Sequence, residues 1–349
     1  MRSPNPAETA AIPLPRRRTP AVVMDNGRGC TKAGFVGEES PRALVDAPLG
    51  PGAADWSALE KLWHHVLRHA LRLDPRQHGV LLAEPPLTPK VHRERWAEIL
   101  FEGFGVPAFY TARQPLLSLY SVGRTTGLVV EAGSAASSVS LVHEGFVLPN
   151  ATYCLNLAGH LLTMYLRRLL RDAGYYFGWK DTHLVKHIKE HCCYLAQDYQ
   201  EEILWDERDY TAQYRLPDGF TITLKSQRFR CPEALFRPPL VGLQDPGLHI
   251  LAFKSLQACC EEYRGRFLEN VVVCGGTSLL PGFGQRLGAE LRKLSSRGAR
   301  VEVTAAPYRG ISAWVGGSIL ASLSSFQSLW IPRQQYDEMG PYIIHRKCF

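Results

Sequence analysis

The chain has 349 residues, of which 45% are hydrophobic and 21% charged, and a formal net charge of +7, a composition typical of globular proteins with large buried cores. No apolar stretch is long enough to span a membrane, and the first residues lack the apolar segment of a secretory signal, so we expect neither a membrane span nor export. The nine cysteines include no CxxC pair, which argues against a disulfide framework or a zinc site.

The first twenty residues are rich in proline and carry four arginines against one glutamate. Such a segment cannot bury a core, so we predict a disordered basic arm over residues 1–20. The arm is either a solvated tail or a docking segment for an acidic partner. The remaining positive excess is modest, and we expect no direct contact with nucleic acid.

The predicted elements begin with a strand over residues 21–24 and a return strand over residues 32–37. Residues 41–54 are rich in Pro, Gly and Ala and show no periodicity, which predicts a loop. Ser57 and Glu60 have the spacing of a capping box before a helix with one apolar face. Three histidines lie in this helix, but no acid or cysteine completes a metal-ligand set.

The rest of the chain alternates between apolar runs and helical patterns. In chain order we predict a strand at 80–83, helix 88–104, strand 108–112, helix 113–122, strand 128–130, a hairpin of 139–143 with 146–148, helices 160–173 and 182–199, a turn at 216–219 between two strands, helix 249–263, strand 270–273, helix 283–295, strand 301–304 and a final helix from 313. This alternation favours the α/β class, with helices on the faces of layered sheets.

Three glycine turns follow predicted strands. Asp25 and Gly27 close the first strand, Glu131 and Gly133 close the strand at 128–130, and residues 275–277 follow the strand at 270–273. A strand that ends in a carboxylate and a glycine turn can bind phosphate through backbone N–H groups while the acid faces a metal. A single glycine turn usually only reverses the chain, but the repetition predicts a phosphate cleft between two related halves.

Local strings along the whole chain then resemble the actin family. They are DNG at 25–27, KAGF at 32–35, PRA at 41–43, LSLY at 117–120, GRTTG at 123–127, RFRCPE at 228–233, WVGGSILASL at 314–323 and HRKCF at 345–349. The resemblance runs from residue 21 to residue 349. It implies an actin-like ATPase-domain fold, in which two related, ribonuclease H-like α/β domains flank a nucleotide cleft. The implied large domain comprises residues 21–121 and 312–349, and the second domain comprises residues 122–311.

The largest departure from actin lies between Ala43 and Trp56. Actin carries several dozen more residues there, which form a small subdomain with a loop that inserts into the next filament subunit. In this chain that subdomain is nearly absent, because only residues 44–55 remain. The loss removes a main longitudinal filament contact and one wall of the nucleotide cleft, so we expect little or no autonomous polymerisation.

The resemblance also implies a nucleotide site for ATP or ADP with Mg²⁺, although its altered residues leave binding open. The candidate residues are Asp25, Gly27, Arg28, Gly29, Lys32, Glu131, Gly133, Ser134, Lys186, Lys189, Glu190, Gly275, Gly276 and Thr277. Within this set, Asp25 and Glu131 are the candidates for contact with Mg²⁺ through bound water.

Several of these positions differ chemically from actin. Arg28 replaces a serine that meets the terminal phosphate, so its guanidinium would bind phosphate or take the metal's place. Ser134 replaces an acid near the metal, and Leu280 replaces a tyrosine that packs on the base. Gln114 matches the glutamine that arranges the attacking water, but Ser138 replaces the histidine. Because serine is no imidazole proton relay, we assign no catalytic residue and expect no appreciable hydrolysis.

One surface of actin is kept in sequence, the hydrophobic cleft that receives amphipathic helices of binding proteins. Its counterparts are Tyr120, Gly123, Thr125, Val315, Ile319, Leu320, Leu323, Ser325 and Leu329. An apolar trough with small residues at its floor suits helix-in-groove recognition. The alternative is that Ile319, Leu320 and Leu323 are simply helix core.

Three functions remain open at this stage. The first is a non-polymerising or weakly polymerising actin-like scaffold of the cytoplasmic cytoskeleton, with helical partners and actin itself as candidates. The second is an ATP-binding actin that joins or caps filaments. The third is a nuclear actin-related subunit of a chromatin complex, consistent with the basic arm. The divergence is also similar to that of the actin-like proteins of male germ cells, an analogy of family alone.

Overall fold

The computed structural model describes residues 20–47 and 55–348. The predicted basic arm, apart from Pro20, lies outside the described residues. The strands are β1 (Ala21–Asn26), β2 (Cys30–Phe35), β3 (Ala43–Asp46), β4 (Gly79–Glu84), β5 (Ala108–Arg113), β6 (Gly127–Ala132), β7 (Ser137–His143), β8 (Phe146–Leu155), β9 (Ala212–Arg215), β10 (Thr221–Leu224), β11 (Val271–Cys274), β12 (Val303–Thr304) and β13 (Ile331–Pro332).

The helices lie between and after these strands. They are α1 (Trp56–His64), α2 (Lys90–Glu98), α3 (Gln114–Tyr120), α4 (Gly159–Asp172), α5 (Thr182–Cys192), α6 (Tyr199–Glu202), α7 (Glu207–Tyr210), α8 (Gln227–Glu233), α9 (Leu248–Gln257), α10 (Glu261–Leu268), α11 (Phe283–Leu294), α12 (Ser312–Ser322), α13 (Arg333–Met339) and α14 (Ile344–Lys347). Two π-helical segments, His65–Ala70 and Ile99–Gly103, continue α1 and α2. Among the described residues, no helix is long and apolar enough to cross a membrane.

Two mixed sheets share one core topology. The first has the strand order β13-β5-β4-β1-β2-β3, and the second has the order β12-β11-β6-β7-β8. In each sheet an antiparallel meander of three strands is extended by two parallel strands beside its first strand, β4 and β5 in one and β11 and β12 in the other. The chain is therefore α/β, as predicted, and its two sheets repeat one plan.

Each sheet has its own hydrophobic core. The first core draws on residues 21–117 and 313–348 and includes the fully buried Trp63, Phe109 and Trp314. The second core draws on residues 128–301. Strands that are buried on both faces explain the continuous apolar runs of β4 and β11.

The helix α12 is held against the first sheet and against α3 by very close packing. The indole Nε1 of Trp314 donates a hydrogen bond to the carbonyl of Val23 at 3.1 Å. A Cβ atom on Gly316 would collide with the carbonyl oxygen of Leu117, and one on Gly317 would lie 2.7 Å from Val23. Gly316 thus allows α12 to cross α3 at backbone distance, and Gly317 allows α12 to pack closely on the side chain of Val23.

The predicted cap of α1 and the predicted loop at 41–54 are wrong in detail. The N-cap of α1 is Asp55, whose Oδ1 accepts from the N–H of Ala58 at 2.9 Å, so the helix begins before the predicted cap. The predicted loop at 41–54 contains β3, which pairs with β2 at the sheet edge. Residues 48–54 of that loop lie outside the described part of the chain.

Two long predicted helices are each interrupted. The helix expected over residues 182–199 ends at Cys192, because the following segment bonds elsewhere: Tyr194 N–H donates to Arg228 and Leu195 N–H donates to Pro281. The helix expected over residues 249–263 is divided into α9 and α10 by extended backbone at Cys260. The helices α13 and α14 were not predicted.

Candidate functional site

The first two glycine turns meet face to face. They connect β1 to β2 and β6 to β7, which are equivalent hairpins in the two sheets. A Cβ atom on Gly29 would lie 2.5 Å from the Cβ of Ser134 and 2.7 Å from its Oγ. Any side chain at Gly29 would therefore collide with the opposite turn. The structure brings together the two turns that the sequence assigned to the phosphate cleft.

Asp25 lies at the centre of this junction with both carboxylate oxygens engaged. It is 3% exposed. Oδ2 accepts from Lys32 Nζ at 2.7 Å, and Oδ1 accepts from Gln114 Nε2 at 2.8 Å. The ion pair follows from register, because Asp25 and Lys32 face each other in the β1–β2 hairpin. Burial opposes the charge of Lys32, but attraction to Asp25 leaves the lysine pKa raised overall.

Glu131 occupies the equivalent place in the second sheet without a partner. Its Oε2 is enclosed and has no hydrogen-bond partner among the described residues. Burial raises the pKa of Glu131 to about 7, the negative charge of Asp25 adds to the rise, and Lys32 opposes it. Near neutral pH this carboxyl is therefore divided between its protonated and ionised forms.

The third turn packs against the second. Thr277 Oγ1 donates a hydrogen bond to the Gly133 carbonyl at 2.6 Å. Gly275 has a φ of +89°, and a Cβ there would collide with the carbonyl oxygen of Ala132. Nothing lies within 4 Å of the Cβ position of Gly276. The candidate residues Gly133, Gly275, Gly276 and Thr277 thus form one continuous backbone surface.

The turn backbones leave polar groups free. Within the described residues, no protein acceptor receives the amide N–H groups of Arg28, Gly29, Ser134 or Ala135. Gly27 N–H bonds to the Asp25 carbonyl, and Gly133 N–H bonds to the Ala136 carbonyl, which fixes the shape of each turn. The side chain of Arg28 is exposed at the rim. Free amides beside a guanidinium are a suitable environment for a phosphate group.

Three candidate residues of the nucleotide site lie on α5 and differ in exposure. Lys186 and Glu190 are exposed, whereas Lys189 is only 4% exposed. Lys189 Nζ donates to the Gly159 carbonyl at 2.7 Å and to Thr163 Oγ1 at 2.9 Å, and burial lowers its pKa. Its ammonium group therefore stabilises the start of α4.

Leu280 lies in the second core with 4% exposure, so its side chain serves packing. The neighbouring Leu279 is 47% exposed, and its side chain lies 3.2 Å from the Cβ position of Gly310. Leu279 was not among the predicted site residues. Its exposure could have been predicted, because two adjacent apolar side chains at a 3₁₀ turn point in different directions and only one of them can enter the core.

The residues fit a phosphate better than a hydrated divalent cation. The free turn amides suit a chain of phosphate groups, and the close approach of Gly29 to Ser134 holds the two turns together. Gln114 lies beside Asp25, and Ser138 lies beside Glu131. For Mg²⁺ the fit is poor, because Asp25 is already paired with Lys32 and the raised pKa of Glu131 leaves its carboxyl partly protonated near neutral pH. Within residues 20–47 and 55–348, no group of three or more His, Cys, Asp or Glu side chains could hold a metal ion.

The residues of the predicted partner cleft lie along α12 and at the end of α3. Ile319 is 42% exposed, Leu323 is 48% exposed and Leu329 is 42% exposed. Tyr120, Val315 and Leu320 are partly buried against the first core. Thr125, Ser325 and Gly123 are exposed, and the Cβ position of Gly123 has no neighbour within 4 Å. Leu320 therefore serves the core, whereas Ile319 and Leu323 do not.

Two sheets of one plan, whose first strands end in acid-glycine turns that meet, define a duplicated α/β fold. The chain belongs to the actin family: the family model described as "Actin" matches residues 52–349. A human relative, "Actin-like protein 9", is 41% identical over 369 residues, which cover 95% of this chain and 89% of the relative. The fold is accordingly the actin-like ATPase fold, in a family that generally binds nucleotide with a divalent metal.

Proposed function

We propose that this chain is a non-polymerising or weakly polymerising actin-like structural protein that acts as a scaffold in the cytoplasmic cytoskeleton. The observation that carries the proposal is the short connection after β3. Ala43–Asp46 is an edge strand of the first sheet, and α1 is already capped by Asp55. Residues 47–54 are too few for a subdomain that would interlock with another subunit.

The alignment length supports a deletion in this chain. It spans 369 residues, whereas the chain has 349, so it includes positions that the human relative occupies and this chain does not.

We infer that residues 21–121 with 312–349 and residues 122–311 are the two domains, because the two cores draw on these ranges.

The scaffold proposal assigns partner binding to the surface formed by Ile319, Leu323 and Leu329, which we call the α12 cleft. These side chains are large, apolar and between 42% and 48% exposed. Val315 lies one turn before Ile319 on α12, and both Val315 and Tyr120 are partly buried against the first core. A rigid apolar floor with exposed walls suits the apolar face of an amphipathic helix.

We further propose that nucleotide binds weakly, through phosphate, and that hydrolysis is negligible. The carboxylate of Asp25 is paired with Lys32, and the carboxyl of Glu131 is partly protonated near neutral pH because its pKa is raised to about 7. Phosphoryl transfer depends on metal and preorganised charge, and neither acid supplies it in this arrangement.

Fluorescence anisotropy with a labelled amphipathic helical peptide, apolar at positions i, i+3, i+4 and i+7, tests the α12 cleft. We expect Ile319→Asp and Leu323→Asp each to weaken binding at least about tenfold, because a charge would be buried against an apolar helix face. The matched control is Leu204→Asp, since Leu204 is 83% exposed and lies outside the cleft. Equal binding by Ile319→Asp and the unaltered protein would refute the assignment.

A further inference from the structure

A cavity of about 320 Å³ lies between α4 and the segment that follows it. Its wall combines basic, aromatic and apolar side chains, and we call it the arginine pocket. It is lined by Met164, Arg167, Arg168, Arg171, Tyr176, Phe177, Gly178 and Trp179. None of these residues belongs to the glycine turns or to the α12 cleft.

The positive charge of this pocket is largely uncompensated. Arg167, Arg168 and Arg171 lie at positions i, i+1 and i+4 of α4. Within the described part of the chain, no carboxylate forms an ion pair with Arg167 or Arg168, and Arg171 reaches only the exposed Asp172 at 3.8 Å. An exposed pair of that length contributes little. The pocket therefore carries a local excess of guanidinium charge.

Arg167 carries the donor best placed to bind an anionic group. Its guanidinium lies 3.7 Å from the ring centroid of Trp179, a cation–π contact that fixes its position. Its Nη1 is enclosed and finds no hydrogen-bond partner among the described residues. A buried donor without an acceptor is costly, and an anionic oxygen at this point would remove the cost.

The rim of the pocket exposes two large aromatic side chains. Tyr176 is 82% exposed and Trp179 is 76% exposed. Trp, Tyr and Arg are the residue types that most often dominate the binding energy of protein–protein interfaces. The site therefore offers two kinds of contact, an anion position at the arginines and an apolar surface at the rings.

We propose that the arginine pocket binds an acidic peptide segment of a partner protein. A carboxylate or phosphoryl group of the segment bonds to Arg167 and Arg168, and a neighbouring apolar side chain packs on Trp179 and Tyr176. A protein segment fits better than a nucleic acid strand. One face of the Trp179 ring is already covered by Arg167, so the ring cannot take bases on both of its faces as a nucleic-acid stacking platform would.

The test is fluorescence anisotropy on the full chain with fluorescein-labelled peptides that contain leucine and either glutamate, phosphoserine or glutamine at the same positions. We expect the glutamate or the phosphoserine peptide, or both, to bind, and the glutamine peptide not to bind. The comparison between the two anionic peptides identifies the preferred group. Arg167→Gln with Arg168→Gln should weaken binding at least about tenfold, and Trp179→Ala should weaken it as well.

The matched control is Arg208→Gln, which removes a 93% exposed guanidinium from another helix and should leave binding unchanged. Arg168→Gln alone, at an exposed position, provides a second variant if the double variant unfolds. The proposal is wrong if the anionic peptides fail to bind at low salt, or if the arginine variants bind them as well as the unaltered chain. It is also wrong if these arginines bind a single-stranded oligonucleotide in preference to the peptides.

Discussion

At the scale of single residues, the two acids at the ends of β1 and β6 occupy equivalent places but have different partners. Asp25 is compensated by Lys32 and Gln114, whereas the Oε2 of Glu131 is enclosed without a partner in the described residues. The sequence placed both acids at glycine turns, and the resemblance assigned both to the metal. The Asp25–Lys32 ion pair was not predicted, although the register of the short β1–β2 hairpin places the two residues opposite each other. The burial of Lys189 depends on α4, which is distant in sequence.

Glu131 should make the stability of the protein depend on pH. Its pKa rises from 4.5 to about 7 on folding, so the folded state holds the proton more tightly than the unfolded chain. This contribution is fully present below pH 4.5 and is lost as the pH rises through about 7, a loss of about 3 kcal/mol. Glu131→Gln should remove this part of the decline in thermal midpoint between pH 5 and pH 8.

The control for this measurement is Glu39→Gln, which alters an exposed carboxylate. It should leave the pH profile of the thermal midpoint unchanged. If Glu131→Gln declines with pH as steeply as the unaltered protein, the carboxyl is not held neutral in the folded state.

Arg28 should determine how the chain binds ATP. Because the guanidinium lies at the rim of the amide-lined turns and the acids are poor metal ligands, we expect Mg²⁺ to change ATP affinity by less than about threefold. Arg28→Gln should weaken binding about fivefold, while the exposed Arg297→Gln should not. Isothermal titration calorimetry with and without Mg²⁺ measures this. A tenfold or greater gain with Mg²⁺ would contradict the account of the acids.

At the scale of elements, the close crossing of α3 and α12 fixes the position of α12. The sequence predicted strands and helices well where periodicity was local, as in β4, α4 and α11. It failed where distant segments compete for backbone hydrogen bonds. Tyr194 and Leu195 follow this rule: the carbonyls of Arg228 and Pro281 accept their N–H groups, and no local pattern reveals these partners.

Gly316→Ala should destabilise the protein, because the added methyl group would meet the Leu117 carbonyl and force α12 away from α3. We expect a loss of at least about 2 kcal/mol in the free energy of unfolding. Gly265→Ala is the matched control in α10, where nothing lies within 4 Å of the Cβ position. It should raise stability by roughly 0.5–1 kcal/mol. Equal effects in urea unfolding would show that the crossing is not tight.

At the scale of the whole molecule, one sheet plan is used twice and the halves meet at their glycine turns. The sequence predicted this duplication from the repeated acid-glycine pattern, because the turn residues lie at equivalent strand ends. The arginine pocket was not predicted, since it depends on how the segment after α4 folds back over that helix. The proposed lack of filament contacts also belongs to this scale, because it follows from the short connection between β3 and α1.

Sedimentation velocity of the purified chain in potassium, magnesium and ATP shows whether the chain polymerises by itself. Skeletal muscle actin at the same concentration serves as the polymerising control. We expect a single species near the 39.0 kDa of one chain at concentrations where actin forms filaments. Rapidly sedimenting polymers, seen as filaments by electron microscopy, would contradict this expectation.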